Sequence, residues 1–376
     1  MLLLFRPELV RYPTMPSQIF LAAVVCFAFG TGLRAEAAKR QVIIDQDTWG
    51  GVNLQPIVMV IQDPTVAVVG VTVESGDGWQ KESVAHALRM LELIGRTEIP
   101  VASGATYPLI NTQEGTRRWE ALYGRIPYKG AWMESWPDYN TVGRPSYHGP
   151  DIVPPLAEGM PSTSPIAESA AAFLVRQVRA APGQITILAL GPCTNLALAI
   201  GRDPAFAAGA KELVLLGGGL NPDCSHLDEF SRQLLNTPRV EFNFRWDPEA
   251  AQIVLHAPWR KITLVPTDAT VKTKLTPALA RRAGAFPSPA SRYFARYGQV
   301  GFPMWDETGA AIWLDPTLVT VSDRLVVDVD FDHGANYGAT LSWSPGFNPG
   351  LGEPTVTVVR AVDIARLEEL FVGSMK

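Results

Sequence analysis

The segment Gln41-Val-Ile-Ile-Asp-Gln-Asp-Thr-Trp-Gly-Gly-Val-Asn53 ends a β-branched run in two aspartates one residue apart, Asp45 and Asp47, followed by a glycine turn. Carboxylates at the carboxyl end of a buried strand stand where open α/β sheets build their sites. There they can hold a hard cation or take a proton from water. The same two side chains could instead cap the next helix or close an Asx turn. The elements around them decide between these readings.

Strand-like apolar runs recur at Val42–Ile44, Ala67–Val73, Ile99–Ala102, Ile185–Leu190, Glu212–Leu216 and Ile262–Pro266, and residues 81–94, 167–180 and 195–200 carry apolar side chains at helical spacing between them. This alternation predicts an α/β fold with an open, mainly parallel, Rossmann-like central sheet and helices on both faces. From Tyr107 to Pro165 the rhythm breaks into an insertion rich in Gly and Pro that holds Trp119, Tyr123, Tyr128, Trp132, Trp136, Tyr139 and Tyr147. A loop of that length is expected to be a lid or a binding loop. Its rings could stack on a planar ligand, but most are expected to form a satellite core that pins the loop down.

The chain has 376 residues, 47% hydrophobic and 18% charged, enough for one large α/β domain or two small ones. A net charge of -5 without a Lys/Arg cluster argues against a nucleic-acid partner. Residues 1–37, with an apolar stretch from Ile19 to Phe29 before Ala35-Glu-Ala37, fit a secretory signal, with Met15 as an alternative start. That leaves a single domain over 38–376, a periplasmic or secreted location, and no membrane anchor once the signal is removed. Cys193 and Cys224 could form a disulfide or remain two buried thiols.

Five further segments, in order, join the first: Leu190-Gly-Pro-Cys-Thr-Asn195; LLGGGL at 215–220; Asn236-Thr-Pro-Arg-Val-Glu-Phe-Asn243 with WDPEAA at 246–251; Met304-Trp-Asp-Glu-Thr-Gly-Ala-Ala311 with LDPTLV at 314–319; and the close at 358–371. Together they resemble the inosine-uridine nucleoside hydrolase family, which cleaves the N-glycosidic bond of ribonucleosides. The resemblance implies Asp47 as calcium ligand and water-activating base. It implies Asp306 and the Leu190 carbonyl as further ligands, and Asn236, Glu241, Asn243 and Asp306 as the grip on ribose. It also implies a small-molecule nucleoside as partner and a homo-oligomer.

The departures from the family pattern are specific. Two consecutive aspartates of the family's first motif fall at Val52-Asn53, or at Asn53-Leu54 if the turn keeps an extra residue, so Asn53 becomes the candidate calcium ligand with one negative charge lost. Asp77, in Glu74-Ser-Gly-Asp77, could restore that charge, or could be a solvated loop residue; Asp45 is a supporting residue. Trp305 stands where many members carry a histidine that protonates the leaving base, and could stack on the base instead. Of His86, His148, His226, His256 and His333, His226 alone falls beside a matched segment, and is expected to be an ordinary loop residue. Three readings follow: an exported nucleoside hydrolase with an altered metal site, a ribose-binding protein of the same fold without catalysis, or a hydrolase of another ribosyl compound.

Overall fold

The computed structural model describes residues 38–135, 146–223, 225 and 241–376. Its first strand, β1 (Arg40–Gln46), is buried from Val42 onward, as a strand inside a parallel sheet must be. Val42 and Ile44 enter one apolar layer with Ile57, Leu91, Phe294 and Phe371; Ile43 enters the other with Phe173, Ile187, Phe206 and Phe244. The two-residue period of the strand therefore feeds two cores, one on each face of the sheet.

After β1 come α1 (Gly51–Gln62), β2 (Val66–Val73), α2 (Gln80–Ile94) and β3 (Val101–Ser103). The insertion follows with α3 (Gln113–Tyr123), capped by the Thr112 hydroxyl accepting from the Gly115 N–H at 2.9 Å. Then come α4 (Ala170–Ala180), β4 (Ile185–Ala189), α5 (Thr194–Arg202), β5 (Glu212–Leu216) and β6 (Ile262–Val265). Three last strands, β7 (Val319–Val329), β8 (Thr340–Trp343) and β9 (Thr355–Val362), close the sheet.

The nine strands of the described residues form one sheet ordered β3-β2-β1-β4-β5-β6-β9-β7-β8. From β3 to β9 every pairing is parallel, whereas β7 pairs antiparallel with both β9 and β8. The strand order runs outward in both directions from the β1/β4 pair, so the crevice beyond their carboxyl ends is the topological switch point. Both the Asp47 turn and the Leu190 turn leave the sheet there. Ala38–Lys376 forms one compact unit. No helix among the described residues is long and apolar enough to cross a membrane.

The antiparallel end was not anticipated in the sequence reading. Much of β7, from Thr320 to Asp323, faces solvent, so that strand carries no continuous apolar run to mark it. Residues 1–37, expected to be a signal, together with Trp136, Tyr139, Cys224, His226 and Asn236, lie outside the described residues. Cys193 is buried, and burial pushes its thiol pKa up.

Candidate active site

A cleft opens at the switch point, about 1030 Å³ including its mouth, and five acidic residues line it: Asp47, Asp77, Glu241, Asp306 and Glu307. Asn53, the Leu190 turn and Asn243 complete its polar floor, while Ile126, Tyr128, Phe242, Phe302 and Trp305 form apolar walls. None of the described lining residues is Lys, Arg or His.

The floor is organised around Asn53, in the first turn of α1. Its Nδ2 lies 3.4 Å from Asp47 Oδ1, 3.2 Å from Asp77 Oδ2 and 3.4 Å from Asp306 Oδ2. Asp47 and Asp306, 259 positions apart in sequence by their numbers, therefore meet over one point. Gln46 joins them from below: its Nε2 donates to Asp306 Oδ2 at 2.7 Å and to the Asn53 carbonyl at 3.2 Å, while its Oε1 accepts from the Asp47 N–H at 2.9 Å. The second Asp47 oxygen accepts from the Asp77 main-chain N–H at 2.7 Å.

Of the two registers open for the first motif, Val52-Asn53 places both residues at the cleft, whereas Leu54 is packed in the core. The glycine pair has a steric reason at its second member, where a Cβ on Gly51 would lie 2.7 Å from both the Gln299 nitrogen and the Tyr297 carbonyl. Asp77, offered above also as a solvated loop residue, instead belongs to the floor and accepts from the Tyr128 hydroxyl at 2.5 Å.

Asp45 does not pair with Asp47. The strand ends at Gln46, so Asp45 keeps the face of Ile43 while the chain bends before Asp47. Asp45 accepts from the Thr72 hydroxyl and from Asn195 Nδ2, the latter at 2.9 Å, beneath the cleft. Asn195 also donates its N–H to Glu74 Oε2 at 2.8 Å and accepts from the Ala105 N–H at 2.9 Å. Burial raises the Asp45 pKa to about 6 and pushes Glu74 well above the usual carboxylate range, with the Asp45 carboxylate adding to the latter.

On the opposite wall the chain enters the short helix Phe242–Trp246 at Glu241. This carboxylate accepts from the main-chain N–H groups of Gly218 at 2.6 Å, Asn243 at 3.0 Å and Phe244 at 3.0 Å, and so caps the start of the helix. Asn243 Nδ2 donates to the Leu190 carbonyl at 3.0 Å and to the Leu216 carbonyl at 3.1 Å. The Leu190 carbonyl is thus hydrogen-bonded and retains its second lone pair. Trp305 opens the helix Trp305–Leu314 and lines the cleft next to Phe302.

The electrostatics follow from crowding without cations. Burial first, then the Asp77 carboxylate, push Asp47 well above its ordinary pKa; burial and then Asp47 do the same to Asp306. Burial also raises Glu241, and lifts Glu307 to about 7. Glu307, which accepts from Gln55 Nε2, and Gln46 and Tyr128 were not singled out in the sequence. Only Gln46 carried a signal there, as the residue between the two aspartates.

Of the described insertion rings, Trp132 forms the expected satellite core, stacking on Trp246 with centroids 4.2 Å apart and packing with Trp79. Trp119 packs on Tyr123, which is exposed, as is Tyr147. Tyr128 faces the cleft.

Among the described residues no group of three or more His, Cys, Asp or Glu side chains is arranged as a ready-made metal cluster. The donor chemistry at Asn53 nevertheless fits a hard cation. Three carboxylates converge on its amide, and its own Oδ1 is buried without a hydrogen-bond partner. A half-turn of this amide would present Oδ1 to the point the carboxylates share.

Comparison with known proteins agrees with this geometry. A family model described as inosine-uridine preferring nucleoside hydrolase matches residues 42–369. Uridine nucleosidase 1 of Arabidopsis thaliana is 33% identical over 342 residues, covering 86% of this chain and 89% of the relative. The pyrimidine-specific ribonucleoside hydrolase RihB of Escherichia coli (strain SE11) is 25% identical, with 85% of this chain and 92% of the relative covered. A solved plant nucleoside hydrolase, PpNRh1, superposes with a TM-score of 0.67 at 25% identity, over 89% of this chain and 98% of its own.

Proposed function

The chain belongs to the inosine-uridine preferring nucleoside hydrolase family and is a nucleoside hydrolase; from that premise we propose that Asp47 is its catalytic base, that a calcium ion shares the Asn53 floor, and that pyrimidine ribonucleosides are its substrates. The observation that carries the reading is the convergence of Asp47, Asp77 and Asp306 on the Asn53 amide at 3.2–3.4 Å. The substrate class rests on the uridine nucleosidase and RihB relatives.

Cleavage of a ribosyl bond builds positive charge on the sugar, so the site must supply negative charge beside the ring, a positioned water and a hold on the hydroxyls. Buried carboxylates oppose their own ionisation and are stabilised by a developing cation. Asp47 is placed to accept the water's proton: its Oδ2 is fixed by the Asp77 N–H, and Oδ1 points to the shared floor. Glu241 Oε1 accepts a single main-chain N–H and keeps capacity for a ribose hydroxyl, with Asp306 on the opposite side of the floor. Asn243 donates its amide NH2 to the Leu190 and Leu216 carbonyls at the ends of β4 and β5, and from the cleft lining its Oδ1 keeps capacity for a ribose hydroxyl. Asp47, Asn53, Asp306 and the Leu190 carbonyl would hold the calcium, with Asp77 as a further carboxylate. Bound there, the ion would lower the pKa of the attacking water.

Trp305, in place of a histidine, offers the base a flat apolar face rather than a proton. The leader at 1–37 supports an exported enzyme, which the amino-terminal sequence of the mature protein tests. For the catalytic assignment the test is Asp47→Asn, which keeps the shape and the acceptor for the Asp77 N–H. Uridine turnover should fall at least about a hundredfold with the melting temperature unchanged. Turnover within a few-fold of the parent protein would remove Asp47 as base.

A further inference from the structure

Among the described residues the insertion meets the floor of the cleft at the turn 75–78 that follows β2. We propose that Tyr128 is a positioning residue: through Asp77 it sets the orientation of Asp47, so that the insertion acts on catalysis as well as walling the cleft. This inference rests on the reading of Asp47 as the base.

Two contacts grip the turn on adjacent residues. The Tyr128 hydroxyl donates to Asp77 Oδ1 at 2.5 Å, and the Ala131 N–H donates to the Gly76 carbonyl at 2.9 Å. The peptide between those residues, Gly76–Asp77, carries the N–H that Asp47 Oδ2 accepts at 2.7 Å. Fixing both ends of one planar peptide fixes the direction of its N–H. The approach is close enough to exclude side chains: a Cβ on Gly130, at φ +53°, would lie 2.2 Å from the Gly76 carbonyl oxygen, and one on Gly76 would lie 2.1 Å from Asp47 Oδ2. Tyr128 is itself held by Phe242, with ring centroids 5.0 Å apart, and Phe242 follows Glu241 on the opposite wall. One tyrosine thus joins the insertion, the Asp77 turn and the start of the helix at Glu241.

A tyrosine that only filled the wall would act through its ring, whereas a positioning tyrosine acts through its hydroxyl. Tyr128→Phe separates the two because it keeps the ring against Phe242. We expect kcat for uridine to fall about tenfold or more, with KM and melting temperature close to those of the parent protein. In an Asp77→Ala background, where the hydroxyl has lost its partner, the same change should cost nothing further. Tyr128→Phe with unchanged kcat, or with kcat losses that multiply independently of Asp77→Ala, would overturn the proposal. So would a loss confined to KM or to the melting temperature. A parent protein that turns over neither uridine nor inosine would instead remove the catalytic reading on which the proposal stands.

Discussion

Replacing Asn53 with aspartate tests the cation floor, because the side chain already sits where three carboxylates meet. One carboxylate oxygen at the Nδ2 position would face three others at 3.2–3.4 Å. At an effective dielectric of about 20, each such pair repels by about 5 kcal/mol. The floor avoids most of that by binding a proton, and holding a proton at pH 7 on a carboxyl of ordinary pKa costs about 4 kcal/mol. The metal-free Asn53→Asp protein should therefore lose up to about 4 kcal/mol of stability at pH 7, and about 3 kcal/mol less than that at pH 5, where the proton is easier to hold. Calcium should reverse the order, since a fourth carboxylate strengthens an all-oxygen site. The assay is urea unfolding of parent and variant in chelator and in millimolar calcium at both pH values, with calorimetric titration of the ion. If the two proteins unfold at the same urea concentration in chelator and gain equally from calcium, Asn53 is not at the centre of a cation site.

Two further outcomes follow from the same geometry. Gly76→Ala would push a methyl group into Asp47 Oδ2, so uridine turnover should fall at least about tenfold while far-UV circular dichroism stays that of the parent; an active Gly76→Ala protein would show that the turn yields easily. The stability of the chelator-treated protein should also decline as pH rises from about 4 to about 7. Asp45, raised to about 6, and Glu307, raised to about 7, bind protons more tightly in the folded chain than in the unfolded one. Their contribution is complete below the unfolded pKa and is lost as pH climbs through the folded values, a decline of about 6 kcal/mol at most. Urea midpoints that stay flat across that window would contradict the assignment.

The parallel half of the sheet was legible because buried parallel strands read as continuous apolar runs, and Asp47 stood out as a carboxylate at the end of one; its pairing with Asp306, which opens a helix, was legible only through the resemblance to the family. The register at Asn53 was ambiguous, because the number of residues in a glycine turn is set by what packs against it. Here that is the Tyr297–Gln299 backbone beside Gly51. Asp45, expected as a supporting residue, lies beneath the cleft apart from Asp47, because the strand ends one residue later and the chain bends there. Tyr128 and Glu307 could not be picked out: one was a ring among many, the other an acid next to an acid, and only the tertiary fold turns both toward the cleft.

Asn195 gives the molecule a property useful to anyone redesigning it. From the start of α5 its side chain and N–H reach Asp45 near the end of β1, Glu74 after β2 and Ala105 beyond β3, so one residue laces together the tips of four adjacent strands. The foundation beneath the cleft should then behave as a rigid block, indifferent to changes in Ile126 or Phe302 above it. Retailoring those walls for a bulkier or a smaller heterocycle becomes a local problem, while any edit to Asn195 would be felt across half the sheet.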